Sequence, residues 1–213
     1  MSETSRPIGC VIMASGLARR FGSNKLLADF GGRPLLCRAL DATDTPQLAC
    51  RIVVTRSAEV ETLCQTLGIA CLRHALPGRN DTVRLGLEAL LTLQPGLAGC
   101  IFLPGDQPLL RRETVEALVC AFVADTRTQK ETERAIFRLA FQAENDPEPL
   151  VGSPVLFGCD YFSALRTLPE GKGGSVLLRR YPERVCNVFT ADRAELLDAD
   201  TPEALRELKQ FLI

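Results

Sequence analysis

Short β-rich runs that alternate with helical patterns are the feature of this sequence that most restricts its fold. Apolar runs at residues 8–13, 51–55 and 99–103 are each followed by a polar or glycine-containing loop, and segments with apolar residues at helical spacing lie between them. This alternation is typical of βαβ units, in which parallel strands form a sheet covered by helices. Runs that are apolar on both sides of the strand also indicate a sheet buried on both faces.

The length and composition of the chain suit one domain of this kind. Its 213 residues are 46% hydrophobic and 24% charged, which is ordinary for a globular protein. We therefore predict a single domain over residues 1–213, a Rossmann-like three-layer α/β/α sandwich whose mixed sheet is mostly parallel. In such sheets ligands bind beyond the carboxyl ends of the strands, near the point where strand order reverses. The loops that follow strands are thus the candidates for function.

Charge and residue counts exclude several classes of function. The 25 Lys and Arg residues balance 26 Asp and Glu residues, which argues against a general nucleic-acid-binding protein. His74 is the single histidine, so motifs that need two histidine metal ligands are excluded, and we assign His74 no catalytic role. The nine cysteines lack C-x-x-C spacing and lie mostly in apolar runs, as in a reducing compartment. With no apolar run near 18 residues, we predict a cytoplasmic protein without membrane association.

The loop at residues 14–25, after the first predicted strand, has the composition of a phosphate-binding loop. Its glycines allow tight turns in which backbone N–H groups face an anion, Arg20 offers a bidentate fork, and Lys25 offers a point charge. The spacing matches neither a dinucleotide-binding nor a P-loop motif, and a plain connecting loop with solvated side chains is the alternative. The chain has only four lysines, and Lys25 and Lys172 both lie in glycine-flanked loops. We expect both to meet a polyanion, and Lys25 to face solvent.

Two further loops carry carboxylates in positions suited to a metal ion. Asp106 follows the apolar run at 99–103, and one or two carboxylates with substrate phosphates are the usual ligands of Mg²⁺. Asp106 could instead cap its turn. Near the end of the chain, either Asp198 or Asp200 is a candidate second ligand, although an acid before Thr201 and Pro202 is also a common way to begin a helix.

These loops together carry a family resemblance that runs in order from about residue 8 to 206. Residues 14–27 resemble A-A-G-x-[S]-x-R-M-G-x-x-K-L-L, residues 82–87 resemble S-[LV]-[RK]-x-G-L, and residues 103–108 resemble L-G-D-Q-P. Residues 152–157, 170–173 and 197–205 resemble G-H-P-V-L-F, G-D-K-G and D-I-D-T-P-E-D-L. In this the sequence is similar to the molybdenum cofactor cytidylyltransferases and their guanylyltransferase relatives, which have a nucleotidyltransferase-type sheet.

The resemblance implies a site for a nucleoside triphosphate, a magnesium ion and an acceptor. The residues implied to bind the nucleotide are Ala14, Ser15, Gly16, Leu17, Arg20, Lys25, Gly78, Thr82 and Asp106. Of these, Arg20, Lys25 and Asp106 are implied to be catalytic. Asp106 and Asp200 are implied to hold Mg²⁺. The acceptor is implied to lie against Ser153, Pro154 and Lys172.

The implied reaction is attack by the terminal phosphate of molybdopterin on the α-phosphorus of CTP, with release of pyrophosphate. The attacking phosphate is already an anion, so no histidine base is needed. Cytidylyl relatives carry A-A-G in the first loop and guanylyl relatives A-G-G. Here Ser15 puts a side chain at the middle position, which favours CTP. A molybdoenzyme or its chaperone is the implied protein partner.

Two other functions remain open from the sequence. The first is a transferase of the same fold that uses GTP, or another phosphorylated acceptor such as a sugar phosphate, because Ser153 stands where the family has histidine. The second is a nucleotide-binding sensor or cofactor-insertion chaperone without catalysis. Retention of Arg20, Lys25 and Asp106 argues against the second, since a sensor does not need the metal carboxylate.

Overall fold

A computed structural model describes residues 7–16, 21, 24–128 and 135–212 of the chain. Within these residues a seven-stranded sheet has the order β3-β2-β1-β4-β6-β5-β7. The strands are β1 (Ile8–Ala14), β2 (Cys50–Thr55), β3 (Cys71–Arg73), β4 (Gly99–Pro104), β5 (Ile136–Phe141), β6 (Leu150–Gly158) and β7 (Val185–Phe189). Among them β6 alone runs antiparallel to its neighbours. The predicted mostly parallel mixed sheet is confirmed.

Helices cover both faces of this sheet. They are α1 (Leu36–Ala42), α2 (Ala58–Thr66), α3 (Arg79–Leu93), α4 (Arg112–Thr128), α5 (Phe162–Arg166), α6 (Ser175–Arg180) and α7 (Pro202–Leu208). Side chains of β1 alternate between the faces: Cys10 and Ile12 join a core with α1, α2, α4 and α7, whereas Val11 joins a core with α3, α5 and α6. The three-layer α/β/α architecture is therefore also confirmed.

Several helix ends lie where the sequence predicts them. Ser57 accepts a hydrogen bond from the Val60 amide at 3.2 Å and caps α2. Thr201 accepts one from the Ala204 amide at 3.1 Å and caps α7, with Pro202 in the first turn. Side-chain capping of this kind satisfies backbone N–H groups that have no partner within the helix.

Other boundaries differ from the prediction. The β6 strand is longer than the predicted 154–157, because pairing with both β4 and β5 continues beyond its apolar residues. The sequence pattern predicts a strand at 69–72, which β3 overlaps but which begins and ends earlier than β3. It also predicts a helix from Asn80 or Asp81, and α3 begins at Arg79. Pro34 does not open α1; it pairs with Asp29 in an isolated bridge. The charged, Thr-rich stretch at 125–133 is predicted to be an exposed loop or a frayed helix end; it is helical as far as Thr128, and its remainder lies outside the described residues.

The strand order reverses between β1 and β4, and this point is where a ligand site is expected. The Gly105 amide donates to the Met13 carbonyl at 3.0 Å, which ties together the loops that leave the two strands. Gly86 brings α3 close to the sheet, since a Cβ there would lie 2.7 Å from Val11 Cγ1 and 2.9 Å from Val54 Cγ2. Within the described part of the chain, no helix is both long enough and apolar enough to span a bilayer.

Candidate functional site

A cleft of about 810 Å³ opens at the carboxyl ends of β1 and β4. Its wall includes parts of all three loops that the sequence singles out, together with the start of α3 and residues of β5 and β6. The predicted site residues in the wall are Ser15, Gly16, Lys25, Gly78, Thr82, Asp106, Ser153 and Asp200. The structure therefore gathers most of the predicted set around one cavity.

Lys25 and two carboxylates form the charged centre of the cleft. Lys25 Nζ lies 2.5 Å from Asp106 Oδ2 and 2.9 Å from Asp200 Oδ1. Lys25 begins a short 3₁₀ helix, which Asn24 caps by accepting from the Leu26 amide at 3.2 Å, and Leu26 is buried beneath it. This anchoring holds the lysine backbone at the mouth of β1 and leaves its side chain pointing at the acids.

The expectation that Lys25 faces solvent is wrong, because the residue is only 8% exposed. Burial by itself would lower the pKa of its ammonium. The charges and hydrogen bonds of Asp106 and Asp200 outweigh that effect and hold the pKa above its usual value. In this arrangement the Lys25 ammonium is paired with both carboxylates. An incoming phosphate must therefore compete with Asp106 and Asp200 for the ammonium.

The segment that carries the second acid is fixed to Asp106 through the backbone. The Ala199 amide donates to the Asp106 carbonyl at 2.9 Å, so Asp198 and Asp200 lie on either side of this contact and both line the cleft. Burial, followed by the charges of Asp106 and Asp200, raises the pKa of Asp198 to about 6. Thr201 caps α7, as predicted for this helix entry, and both acids before it line the cleft.

The carboxylates of Asp106 and Asp200 could hold a hard divalent cation if the Lys25 ammonium moved away from them. Asp106 and Asp200 supply oxygen ligands that converge on a single point, and carboxylate oxygens suit Mg²⁺ or Mn²⁺. That point holds the Lys25 ammonium, and among the described residues no group of three or more His, Cys, Asp or Glu side chains is arranged to hold a metal. The acids can take a metal ion only if the ammonium moves away from them.

Ser15, His74 and Thr82 form a polar cluster at the other side of the first loop. The Ser15 hydroxyl donates to the Val54 carbonyl at 3.0 Å, and His74 Nε2 lies 3.0 Å from Ser15 Oγ and 3.4 Å from Thr82 Oγ1. Gly78 begins α3 beside them, and its amide donates to the side chain of Asp81. His74 thus supports two hydroxyls of the cleft wall, which the sequence did not indicate.

Arginines missed by the sequence analysis also line the cleft. Arg56 directly follows β2, and its Nε donates to the Ser15 carbonyl at 3.0 Å, which fixes the loop that leaves β1. Arg138 lies in the middle of β5, and its Nε donates to Asn187 Oδ1 at 2.8 Å. A signal for Arg138 was present, because it is a lone charge in the apolar run at 136–141.

The remaining predicted residues have other placements. Ala14 is buried at the end of β1, and its carbonyl accepts from Thr55 Oγ1 at 3.0 Å. Pro154 is buried next to Ser153, behind the cleft wall. Lys172 is exposed and outside the wall, although its neighbours Gly173 and Gly174 line it. Leu17 and Arg20 lie outside the described residues.

The mixed sheet, covered by helices on both faces and with a charged cleft at its switch point, has the architecture of the nucleotidyltransferase fold. The sequence pattern of the MobA-like NTP transferase domain matches residues 10–185. The chain therefore belongs to the MobA-like NTP transferase domain family.

Individual relatives share parts of the chain. The bifunctional protein GlmU of Anaeromyxobacter sp. strain K is 35% identical over 130 residues, which are 57% of this chain and 26% of GlmU. A probable molybdenum cofactor guanylyltransferase of Pyrococcus horikoshii is 26% identical over 111 residues, 52% of this chain and 54% of that protein. The chain thus spans about a quarter of the first relative and about half of the second.

A solved structure shares the whole fold. Rv0371c of Mycobacterium tuberculosis superposes with a TM-score of 0.75 at 23% identity, covering 97% of this chain and 99% of that one. Rv0371c has also been solved in complex with manganese. At this level of identity the likeness concerns the fold.

Proposed function

We propose that this protein is a magnesium-dependent cytidylyltransferase that transfers CMP from CTP to molybdopterin and releases pyrophosphate. The observation that carries the proposal is the meeting of Lys25, Asp106 and Asp200 at the switch point of the sheet. One cation and two carboxylates at this place are the groups needed to hold a triphosphate and its metal ion. We assign the activity to a single domain over residues 1–213.

The chain's own residues work in this proposal by positioning and by charge. Lys25 and Arg20 bind the phosphates, and Asp106 and Asp200 hold Mg²⁺. When it is bound, the metal ion neutralises charge on the triphosphate. Triphosphate oxygens take the Lys25 ammonium from the acids, so the cation that holds the empty site together becomes a phosphate ligand. The acceptor phosphate is already ionised, and no residue has to remove a proton from it.

The base and ribose lie in this proposal between the first loop and the start of α3. We assign that side of the nucleotide site to Ser15, Gly16, Gly78 and Thr82, which line the cleft, and to their neighbours Ala14 and Leu17. The choice of CTP over GTP is supported by Ser15, whose side chain takes up room that a glycine would leave to a purine. Because the Ser15 hydroxyl is held by the Val54 carbonyl and by His74, it cannot easily turn aside.

In this proposal the acceptor lies at the far side of the cleft, against Ser153. We also assign to it Pro154, which is buried next to Ser153, and Lys172, which lies outside the wall beside Gly173. Serine at 153 is the observation that favours a second candidate, a transferase that acts on another phosphorylated acceptor such as a sugar phosphate. We further propose a cytoplasmic location, with no nucleic-acid or membrane partner, and a molybdoenzyme or its chaperone as recipient of the product.

Pyrophosphate release tests the proposal directly. The protein is incubated with Mg²⁺, with CTP or GTP, and with molybdopterin, glucose 1-phosphate or no acceptor. We expect release only with molybdopterin, at least tenfold faster with CTP than with GTP, and its loss in Asp106→Asn. Release only with glucose 1-phosphate assigns the second candidate function. Triphosphate binding without product from these or any further phosphorylated acceptor supports the nucleotide sensor and contradicts catalysis.

A further inference from the structure

Arg138 is a half-buried cation in the cleft wall, and no acid among the described residues forms an ion pair with it. It is flanked in β5 by buried apolar residues and lies on the face of the sheet that carries α3. Its Nε donates to Asn187 Oδ1 at 2.8 Å. Within the described part of the chain no carboxylate comes within ion-pair distance of its guanidinium, whereas Lys25 in the same cleft contacts two.

A partly buried cation of this kind lowers the stability of the fold unless an anionic ligand pairs with it. Burial lowers the pKa of the Arg138 guanidinium, and no acid in the described part of the chain offsets this effect. Buried charges in proteins are ordinarily paired, because removing an ion from water without a partner is unfavourable. The folded chain therefore holds a desolvated positive charge on the wall of a cavity large enough for a substrate.

The hydrogen bond to Asn187 also determines which nitrogens a ligand can use. With Nε donated to Asn187, the two terminal nitrogens remain as an end-on fork. This fork matches the spacing of two oxygens on a phosphate or carboxylate and allows a bidentate contact. The side chain is thus oriented before any ligand arrives.

The sheet places this fork next to the segment predicted to meet the acceptor. Arg138 pairs with Val155 on β6, and the next pair along the ladder is Leu139 with Gly152, so Ser153 and the residue after it bulge out opposite Arg138. Val155 in turn pairs with Phe102 on β4, which puts Arg138 two strands away from the strand that leads to Asp106. The cation and the bulge form one wall of the cleft, on the side away from β1.

We propose that Arg138 binds an anionic oxygen group, a phosphate or a carboxylate, of the acceptor substrate, with Asn187 as its positioning residue. The assignment of this ligand to the acceptor rests on the proposed function. The proposal adds one requirement to that function: the acceptor must carry an anionic oxygen group that can contact Arg138 on β5. Arg138 is then a binding residue for the acceptor and has no contact with the nucleotide.

Kinetics separate the acceptor from the nucleotide. In Arg138→Gln we expect the KM for the acceptor to rise about 10- to 100-fold, as for loss of a charge-assisted hydrogen-bonded pair, with the KM for CTP changed less than twofold. Asn187→Ala keeps the charge but frees the side chain, and a smaller rise is expected. Arg179→Gln removes the same charge from an exposed position outside the cleft and serves as the matched control. Equal effects in Arg138→Gln and Arg179→Gln overturn the proposal even if the enzyme is active.

Direct anion binding tests Arg138 without any reaction. The protein is labelled with ¹⁵N-arginine, saturated with CTP and studied by NMR. The Arg138 Nε–H signal is identified by its loss in Arg138→Lys. Its chemical shift is then followed during titration with inorganic phosphate and, separately, with acetate. A saturable shift with phosphate supports a phosphate-bearing acceptor, and one with acetate alone supports a carboxylate. No shift with either anion overturns the subsite. The titration needs no molybdopterin. Failure of the Arg138 subsite can therefore be distinguished from failure of the proposed cytidylyltransferase function.

Discussion

Replacing Lys25 by methionine removes the cation that holds two acids of the cleft together. Breaking a fully buried ion pair by removing one partner costs about 3–5 kcal/mol. Here the side chains of Asp106 and Asp200 are 20% and 65% exposed, so water solvates part of the charge left behind. We therefore expect Lys25→Met to lower the free energy of unfolding by about 1–3 kcal/mol.

The same substitution should open a metal site that the ammonium blocks. With Lys25 replaced, no ammonium competes with Mn²⁺ for the Asp106 and Asp200 carboxylates in the absence of nucleotide. At a tenfold excess of Mn²⁺ over its dissociation constant, the stabilisation of the variant is about 1.4 kcal/mol. The wild-type protein should gain clearly less at the same concentration, because Mn²⁺ must first displace the ammonium from the carboxylates.

Urea denaturation followed by circular dichroism, with Mn²⁺ or with EDTA, measures both effects. Lys209→Met is the control, since Lys209 pairs with Asp29 at 3.0 Å on the exposed surface and should contribute less than 1 kcal/mol. The reasoning is refuted if Lys25→Met is no less stable than Lys209→Met, or if Mn²⁺ stabilises wild-type protein and Lys25→Met equally.

Three more substitutions test other parts of the site. Ser15→Gly should raise the ratio of kcat/KM for GTP to that for CTP about tenfold, in keeping with the discrimination available from one small contact; an unchanged ratio would exclude Ser15 from base selection. Burial is the main cause that lowers the pKa of His74, and the positive charge of Arg56 is the next. As pH falls, His74 is therefore protonated at a higher pH in the unfolded chain than in the folded one. Stability should consequently rise with pH up to about 6.5, the unfolded pKa, and level off above it, and His74→Asn, compared by urea midpoints at pH 5.5 and 7.5, should lose that slope. Gly86→Ala forces a methyl group against Val11 and should cost about 1–3 kcal/mol in the same denaturation assay; a stabilised variant would show that α3 has room to move.

The layers of the fold were predictable because they follow from local patterns. The apolar runs of β1 and β4, and the capping residues Ser57 and Thr201, act over a few neighbouring residues. The placement of Asp106 after a buried strand follows from the same reasoning, since parallel strands present their carboxyl ends at one edge.

The contacts that define the site were not predictable from local patterns. The Lys25–Asp200 pair joins residues 175 positions apart, and the Ser15–His74 contact joins residues 59 apart. A sequence shows that lysine and aspartate are present but not that they will neutralise each other, which is why Lys25 was expected in solvent. Arg138 lies beside the bulge of β6 because the antiparallel β6 inserts between β4 and β5, and no spacing in the sequence reveals that insertion.

The position of a metal ion in crystals grown with CTP and Mn²⁺ tests the central claim most directly. Anomalous scattering at the manganese edge locates the ion independently of the surrounding density. We predict a peak between the Asp106 and Asp200 carboxylates, with the Lys25 ammonium moved from them onto the triphosphate. A bound triphosphate with Lys25 still paired to both acids, or a manganese peak away from them, would contradict the assignment of this cleft as the site of nucleotidyl transfer.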